Sequence, residues 1–279
     1  MSVPSPSVPS PALSRSAVIS RLRSAGCVFA EDEAELLITA ATTPEELAAM
    51  VERRVVGLPL EHVLGWAEFC GLRISVDAGV FVPRPRTEFL VRQAAALTRP
   101  GAVVVDLCCG SGALGVALAT LRERVELHAA DIDPAAVACA RRNVTAAGGR
   151  VYQGDLFEAL PDTLRGRVDV LLANVPYVPS RDVGLLPPEA REYEALVALD
   201  GGEDGLAVLR RVLAGARRWL APGGSLLVET SERQAPHAVE AFTRAALAAR
   251  LAESEEFYAT VVIGTAPVAA DGATGAATG

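Results

Sequence analysis

Two short segments of this sequence hold residue types whose spacing suits group transfer. The first is Asp106-Leu107-Cys108-Cys109-Gly110-Ser111-Gly112, an apolar run that ends in a glycine turn. Glycine lets the main chain approach a ligand closely, and a helix that starts there offers free amides. Gly110, Gly112 and Gly115 satisfy G-x-G-x-x-G, the spacing of a dinucleotide turn. Asp131 follows about 20 residues on, where a carboxylate accepts hydrogen bonds from two ribose hydroxyls. This pattern fits S-adenosyl-L-methionine and NAD alike. Asp155 is open between two jobs, accepting from an adenine amino group or capping the segment Leu156 to Leu160.

The second segment, Asn174-Val175-Pro176-Tyr177, separates those cofactors. An amide nitrogen is a poor nucleophile because its lone pair is delocalised into the carbonyl. Two acceptors aimed at its two N–H groups counter this: the Asn174 side-chain oxygen and the Val175 carbonyl. They would hold the nitrogen in line with a sulfonium methyl at about 3–3.5 Å. Tyr177 would stack on the flat group, and Pro176 stiffens the turn. The competing reading is an ordinary Asn-Pro turn that ends a strand.

Both segments act together only if each leaves a strand at the same sheet edge. Ala102 to Leu107 reads as a buried strand and Gly112 to Leu121 as a helix. Val125 to Ala130 is the next strand, followed by a helix that Asp133 caps and Pro134 opens. Val151 to Gln153 and Val168 to Ala173 supply two more strands, and Gly205 to Leu220 a helix. Pro222-Gly223-Gly224 turns into a strand over Ser225 to Glu229, and Glu256 to Ile263 is expected to hold the last two strands, ending with Thr260 to Ile263. Alternation of strands and helices implies an α/β class with a mostly parallel seven-stranded sheet, covered on both faces. Ligands in such sheets lie beyond the carboxyl ends of the strands.

Upstream, Ser14 to Val56 is helical, with Thr43 as cap, Pro44 at the first position and Glu46 completing a capping box. Glu61 to Val82 alternates around Gly65, Gly71 and Gly79 and reads as a hairpin. The expected division is a disordered tail over 1–12, a helical domain over 13–60, a hairpin linker over 61–83, a ligand-binding domain over 84–266, and a disordered tail over 267–279.

Composition narrows the chemistry. All 26 basic residues are arginine, which removes a P-loop lysine, a Schiff base and a lysine general base. Three histidines and five cysteines without a CxxC pair give no metal site and no disulfide framework. The net charge of −8 argues against direct nucleic-acid binding. No apolar run reaches membrane-spanning length, and the Ser/Pro-rich start lacks the regions of a signal peptide, so a cytoplasmic protein is expected. Asn143-Val144-Thr145 matches a glycosylation sequon inside an expected helix and is read as chance.

Across about Leu58 to Pro267 the chain resembles the HemK/PrmC protein-(glutamine-N5) methyltransferases. Besides the two segments above, the resemblance rests on Phe81-Val82-Pro83-Arg84-Pro85-Arg86-Thr87-Glu88. It rests also on Pro188 to Gly205, with Glu189, Arg191, Tyr193-Glu194, Ala198-Leu199, Gly201-Gly202 and Asp204-Gly205. It implies a class I methyltransferase (Rossmann-like) fold and S-adenosyl-L-methionine as cofactor, bound by Cys108, Gly110, Gly112 and Asp131; Asp155 and Asn174 are further candidates for cofactor binding. It implies a catalytic role for Asn174, Pro176 and Tyr177, with Asn174 to Tyr177 binding an acceptor glutamine of another protein, a release factor being the candidate. The family's first motif proline is Val175 here, and Cys108-Cys109 replaces a usual small pair and is read as buried small hydrophobes. Rival readings are an adenine-N6 or small-molecule N-methyltransferase, a non-catalytic S-adenosylmethionine-binding module, and an NAD-dependent dehydrogenase. The last leaves Asn174 to Tyr177 without a job.

Overall fold

The computed structural model describes residues 13–268. The tail expected at 1–12, and all of the one expected at 267–279 except residues 267 and 268, lie outside the described residues. Four helices open the chain: α1 (Arg15–Ser24), α2 (Ala30–Ala40), α3 (Pro44–Val55) and the short α4 (Leu60–Leu64). Thr43 caps α3 by accepting from the Glu46 amide at 3.1 Å. Glu46 reaches back one residue further than a capping box requires, bonding the Thr42 amide at 2.7 Å and hydroxyl at 2.6 Å. Val18, Leu22, Leu37, Met50, Val51 and Val63 form a separate small core there.

A hairpin follows, β1 (Trp66–Phe69) and β2 (Leu72–Ser75), paired antiparallel. Its two-residue turn, Cys70 at φ 51° and Gly71 at φ 73°, has the positive-φ geometry that matches the twist of paired strands. After α5 (Glu88–Leu97) the chain alternates through β3 (Val103–Leu107), α6 (Ala113–Leu121), β4 (Glu126–Asp131), α7 (Pro134–Ala146), β5 (Arg150–Gln153) and β6 (Val168–Ala173). Two short helices, α8 (Pro188–Tyr193) and α9 (Leu196–Leu199), precede α10 (Ala207–Trp219), β7 (Leu220–Thr230), α11 (Ala235–Arg244), β8 (Ala248–Ser254) and β9 (Ala259–Thr265).

The sheet has seven strands in the order β5-β4-β3-β6-β7-β9-β8, parallel except for β9, which runs antiparallel to β7 and β8. All five residues of β3 are buried, because neighbouring side chains point to opposite covered faces. Val104 joins Leu90, Leu118 and Ile263 on one face, whereas Val105 joins Leu213, Trp219 and Phe242 on the other. Helix α10 shows how the second face is covered: Leu209, Val212, Leu213, Ala216 and Trp219 are buried, a stripe at helical period. The order reverses at β3, with β4 on one side and β6 on the other, so the turns after these strands part and open a crevice. Among the described residues, no helix is long and apolar enough to cross a membrane.

Two expectations need correction. The penultimate strand is Ala248–Ser254, and residues 255–258 are the turn into β9. β8 is an edge strand whose residues are exposed or only half-buried, so it lacks the apolar run that marks an interior strand. The Pro222-Gly223-Gly224 turn lies inside β7 as an irregularity: Leu220 pairs with Val168, and regular pairing resumes with Ser225 opposite Val170.

The helical region is joined to the sheet domain through Arg54. Its guanidinium forks onto Glu33 at 2.6 and 3.1 Å and also reaches Glu189 at 2.7 Å and the Leu58 carbonyl at 3.0 Å. Burial disfavours the Arg54 charge, but Glu33 and Glu189 outweigh it and hold the guanidinium charged. Removing one partner of a buried pair strands charge, and without Glu33 the buried Arg54 would keep only the half-exposed Glu189. Glu33→Ala is therefore expected to lower stability in urea melts by about 3 kcal/mol. Glu35→Ala, which breaks only the exposed Arg15 pair, should change it by under about 1 kcal/mol.

Candidate active site

The crevice at the strand switch deepens into a cavity of ≈ 400 Å³. Its floor is the glycine turn. Cys108 at φ 54° and Gly110 at φ 55° both line the cavity, and the Gly110 amide donates to Asp131 Oδ2 at 2.9 Å. The other Asp131 oxygen accepts from the Asp133 amide at 2.9 Å. Asp131 thus shapes the turn with one lone pair of each oxygen and keeps the others for a ligand. Asp133 caps α7 through the Ala135 amide, as expected.

Gly112 does not line the cavity among the residues that do. It sits at φ 78°, and a Cβ there would come within 2.6 Å of Val144. Its glycine character answers to backbone conformation and to packing on α7. Asn143 of α7 holds the same region, donating to the Ser111 carbonyl at 2.8 Å and the Ser75 carbonyl at 2.9 Å. The sequon asparagine is thereby a strut between the glycine turn and the hairpin.

Asn174, Val175, Pro176 and Tyr177 all line the cavity, directly after β6. Asn174 Oδ1 is buried and has no hydrogen-bond partner, a state that costs about 1–3 kcal/mol unless a donor arrives. Val175 is 2% exposed and packs into the core beside Leu107 and Leu206. The main chain is pinned from behind. A Cβ on Gly201 would lie 2.6 Å from the Pro176 carbonyl oxygen, and one on Gly205 2.2 Å from that of Tyr177. Gln234 adds a hydrogen bond to the Tyr177 carbonyl at 2.9 Å.

Charged groups frame the mouth. Asp155 lines the cavity and accepts from Arg211 of α10 at 2.5 Å; its side chain caps nothing, so the capping alternative is set aside. Arg84 grips both oxygens of Glu194 at 2.6 and 2.7 Å. Arg86 donates to Glu229 at 2.9 Å and to the Tyr177 hydroxyl. The far wall comes from the stretch after the motif, including Leu186, Pro187, Glu189, Val197 and Leu199. Sequence reasoning assigned no role to Arg211, Asn143, Gln234 or Glu229. Only position in space joins them to the motif.

Burial sets the protonation states. Desolvation pushes the Cys108 and Cys109 thiols up, reinforced by nearby aspartates, so both behave as small hydrophobes, not as nucleophiles. Desolvation also pushes Asp131 up, opposed by the amides of Asp133 and Gly110. Burial drives Asp106, behind the turn, up to about 8, although the Gly115 amide bonds it at 2.9 Å. The folded state therefore holds this proton more tightly than the unfolded chain. Its stabilising contribution is complete below about pH 4 and is lost as pH rises towards about 8. Asp106→Asn keeps an acceptor for Gly115 and removes the titration. Thermal melts from pH 5 to 9 are expected to fall less steeply for this variant than for wild type.

The chain matches the family model described as methyltransferase small domain over residues 72–185. It is similar to a solved methyltransferase from Pyrococcus furiosus, with a TM-score of 0.55 at 17% identity over 71% of this chain and 90% of that one, which bears on the fold. It is 39% identical to the 4-amino-L-phenylalanine/4-methylamino-L-phenylalanine methyltransferase of Streptomyces pristinaespiralis over 70% of this chain and 68% of that one. It is 42% identical to the release factor glutamine methyltransferase of Geobacter sulfurreducens over 72% of each chain. This chain joins a glycine-turn crevice to an Asn-x-Pro-Tyr corner on a class I sheet, and its likeness to these relatives runs along most of its length: the chain belongs to the release factor glutamine methyltransferase family.

Proposed function

We propose that this enzyme transfers the methyl group of S-adenosyl-L-methionine to the side-chain amide nitrogen of a glutamine in a peptide chain release factor. The observation that carries the reading is the buried, unpartnered Asn174 Oδ1 at the edge of a cavity floored by the glycine turn. That oxygen accepts one N–H of the incoming carboxamide and the Val175 carbonyl accepts the other. Pro176 keeps this corner rigid, and Tyr177 supplies a flat wall. Fixing the nitrogen in one orientation is the main catalytic contribution, since positioning alone is worth several kcal/mol.

The residues present fit the cofactor. Asp131 suits the ribose hydroxyls, Asp155 the adenine amino group, and Cys108 and Gly110 allow close approach. The three arginines of the cavity each face a carboxylate, whereas Asp131 and Asp133 take hydrogen bonds from amides. The residual negative charge favours a cationic donor and disfavours a pyrophosphate, which supports S-adenosyl-L-methionine over NAD. When bound, that donor supplies an activated methyl on a sulfonium centre. No strong base is needed before transfer.

A second reading, a small aromatic amine as acceptor, is favoured by the likeness to the aminophenylalanine methyltransferase. The balance of −8 supports a protein acceptor over nucleic acid. A translation factor as acceptor places the reaction in the cytoplasm.

Labelled cofactor with a release factor carrying Gly-Gly-Gln, run beside 4-amino-L-phenylalanine, decides between the readings by mass spectrometry. Methyl on the glutamine is expected; label only on the amino acid would overturn the proposal. Asn174→Ala should reduce turnover by at least about 10²-fold while cofactor affinity changes little; unchanged turnover would refute the corner mechanism. Asp131→Ala is expected to raise the cofactor Kd about tenfold or more, the worth of one charge-assisted hydrogen bond, as read by calorimetry.

A further inference from the structure

Behind Tyr177 three side chains meet from distant parts of the chain. Arg86 comes from the linker before α5, Tyr177 from the exit of β6, and Glu229 from the carboxyl end of β7. Glu229 is 3% exposed, and its Oε1 accepts from Arg86 Nε at 2.9 Å and from the Tyr177 hydroxyl at 3.2 Å. Arg86 Nη2 donates to that same hydroxyl. The phenol oxygen is therefore engaged both as donor and as acceptor, and a swing of the side chain about its Cα–Cβ bond would break both bonds.

This arrangement is costly for a wall that only fills space. Glu229 Oε2 and the adjoining Thr230 Oγ1 are buried without partners, and apolar side chains of similar volume usually stabilise such a position better than a buried charge. The Tyr177 main chain is already pinned by Gln234 and by the close approach of Gly205. What the Arg86–Glu229 pair adds is the direction of the ring. Tyr177 lines the cavity beside Asn174, so that direction decides how a planar amide lies between them.

We propose that Glu229 and Arg86 are positioning residues that hold the Tyr177 ring as the wall of the acceptor-amide site, an assignment that rests on the acceptor reading given above. Burial and the Glu229 carboxylate push the Tyr177 phenol up, so the hydroxyl keeps the proton it donates. Neither residue is required for the floor of the cavity, so their loss should be felt in the acceptor step and not in cofactor affinity.

The test compares Glu229→Gln, Glu229→Asp, Arg86→Gln and Tyr177→Phe with wild type. Arg86 is 48% exposed at its side chain and serves if the Glu229 variants do not fold. Glu229→Gln and Arg86→Gln should lower acceptor kcat/KM at least about tenfold with the cofactor Kd within about twofold. Glu229→Asp should recover part of the loss, and Glu229→Gln combined with Tyr177→Phe should be no worse than Tyr177→Phe alone. In tyrosine-labelled enzyme, which carries four tyrosines, the ring resonance lost in Tyr177→Phe should shift or broaden in Arg86→Gln. Additive losses, or a cofactor Kd that rises in step with the acceptor defect, would overturn the assignment. The resonance is read without acceptor: an unmoved signal overturns the positioning role whatever is methylated, whereas wild type inert towards glutamine overturns the acceptor reading alone.

Discussion

A carboxamide oxygen held in the protein interior with no donor is a standing cost of about 1–3 kcal/mol, and Asn174 carries it at the end of β6. A free turn would relax and let that oxygen find water or a main-chain amide. This one is hemmed in by Gly201 and Gly205, which leave no room for a Cβ against the carbonyls of Pro176 and Tyr177. Pro176 has no amide hydrogen to offer. The glycines of the following loop thus serve the motif that precedes them, by letting main chain press on main chain.

Electrostatics around the corner follow from burial and from the choice of cation. Arginine keeps its charge in places where lysine would lose it. Arg54, Arg84 and Arg86 all bind carboxylates that are at least nine-tenths buried as whole residues, Glu33, Glu194 and Glu229. Burial pushes Glu194 up and the Arg84 guanidinium opposes that shift. The Arg84–Glu194 and Arg86–Glu229 pairs join elements far apart in the chain, so they define geometry more than they add stability.

Much of this was legible from residue order alone. The strands β3, β4 and β6 announce themselves as apolar runs, and Asp133-Pro134 and Thr43-Pro44 mark helix starts by local chemistry that needs no tertiary context. β8 was missed because an edge strand with little burial carries no apolar signature. Gly112 looked like part of a ligand turn, yet its neighbour is Val144 of α7, a contact no spacing rule contains. Glu229 closes a strand like any other, and only the parallel pairing of β6 with β7 brings it behind Tyr177. Roles fixed by one turn or one strand can be read in sequence; roles fixed by the meeting of distant segments cannot.

The cavity is built from chain segments that divide by task. Its floor comes from the turns after β3 and β4, whereas the opposite wall comes from the single stretch that follows Tyr177, through Leu186, Pro187, Val197 and Leu199. Substitution of these side chains alone would alter which nucleophile gains entry while Gly201 and Gly205, which press on the motif, stay in place. A wall and a floor drawn from separate segments let the acceptor side vary while the donor side stays as it is.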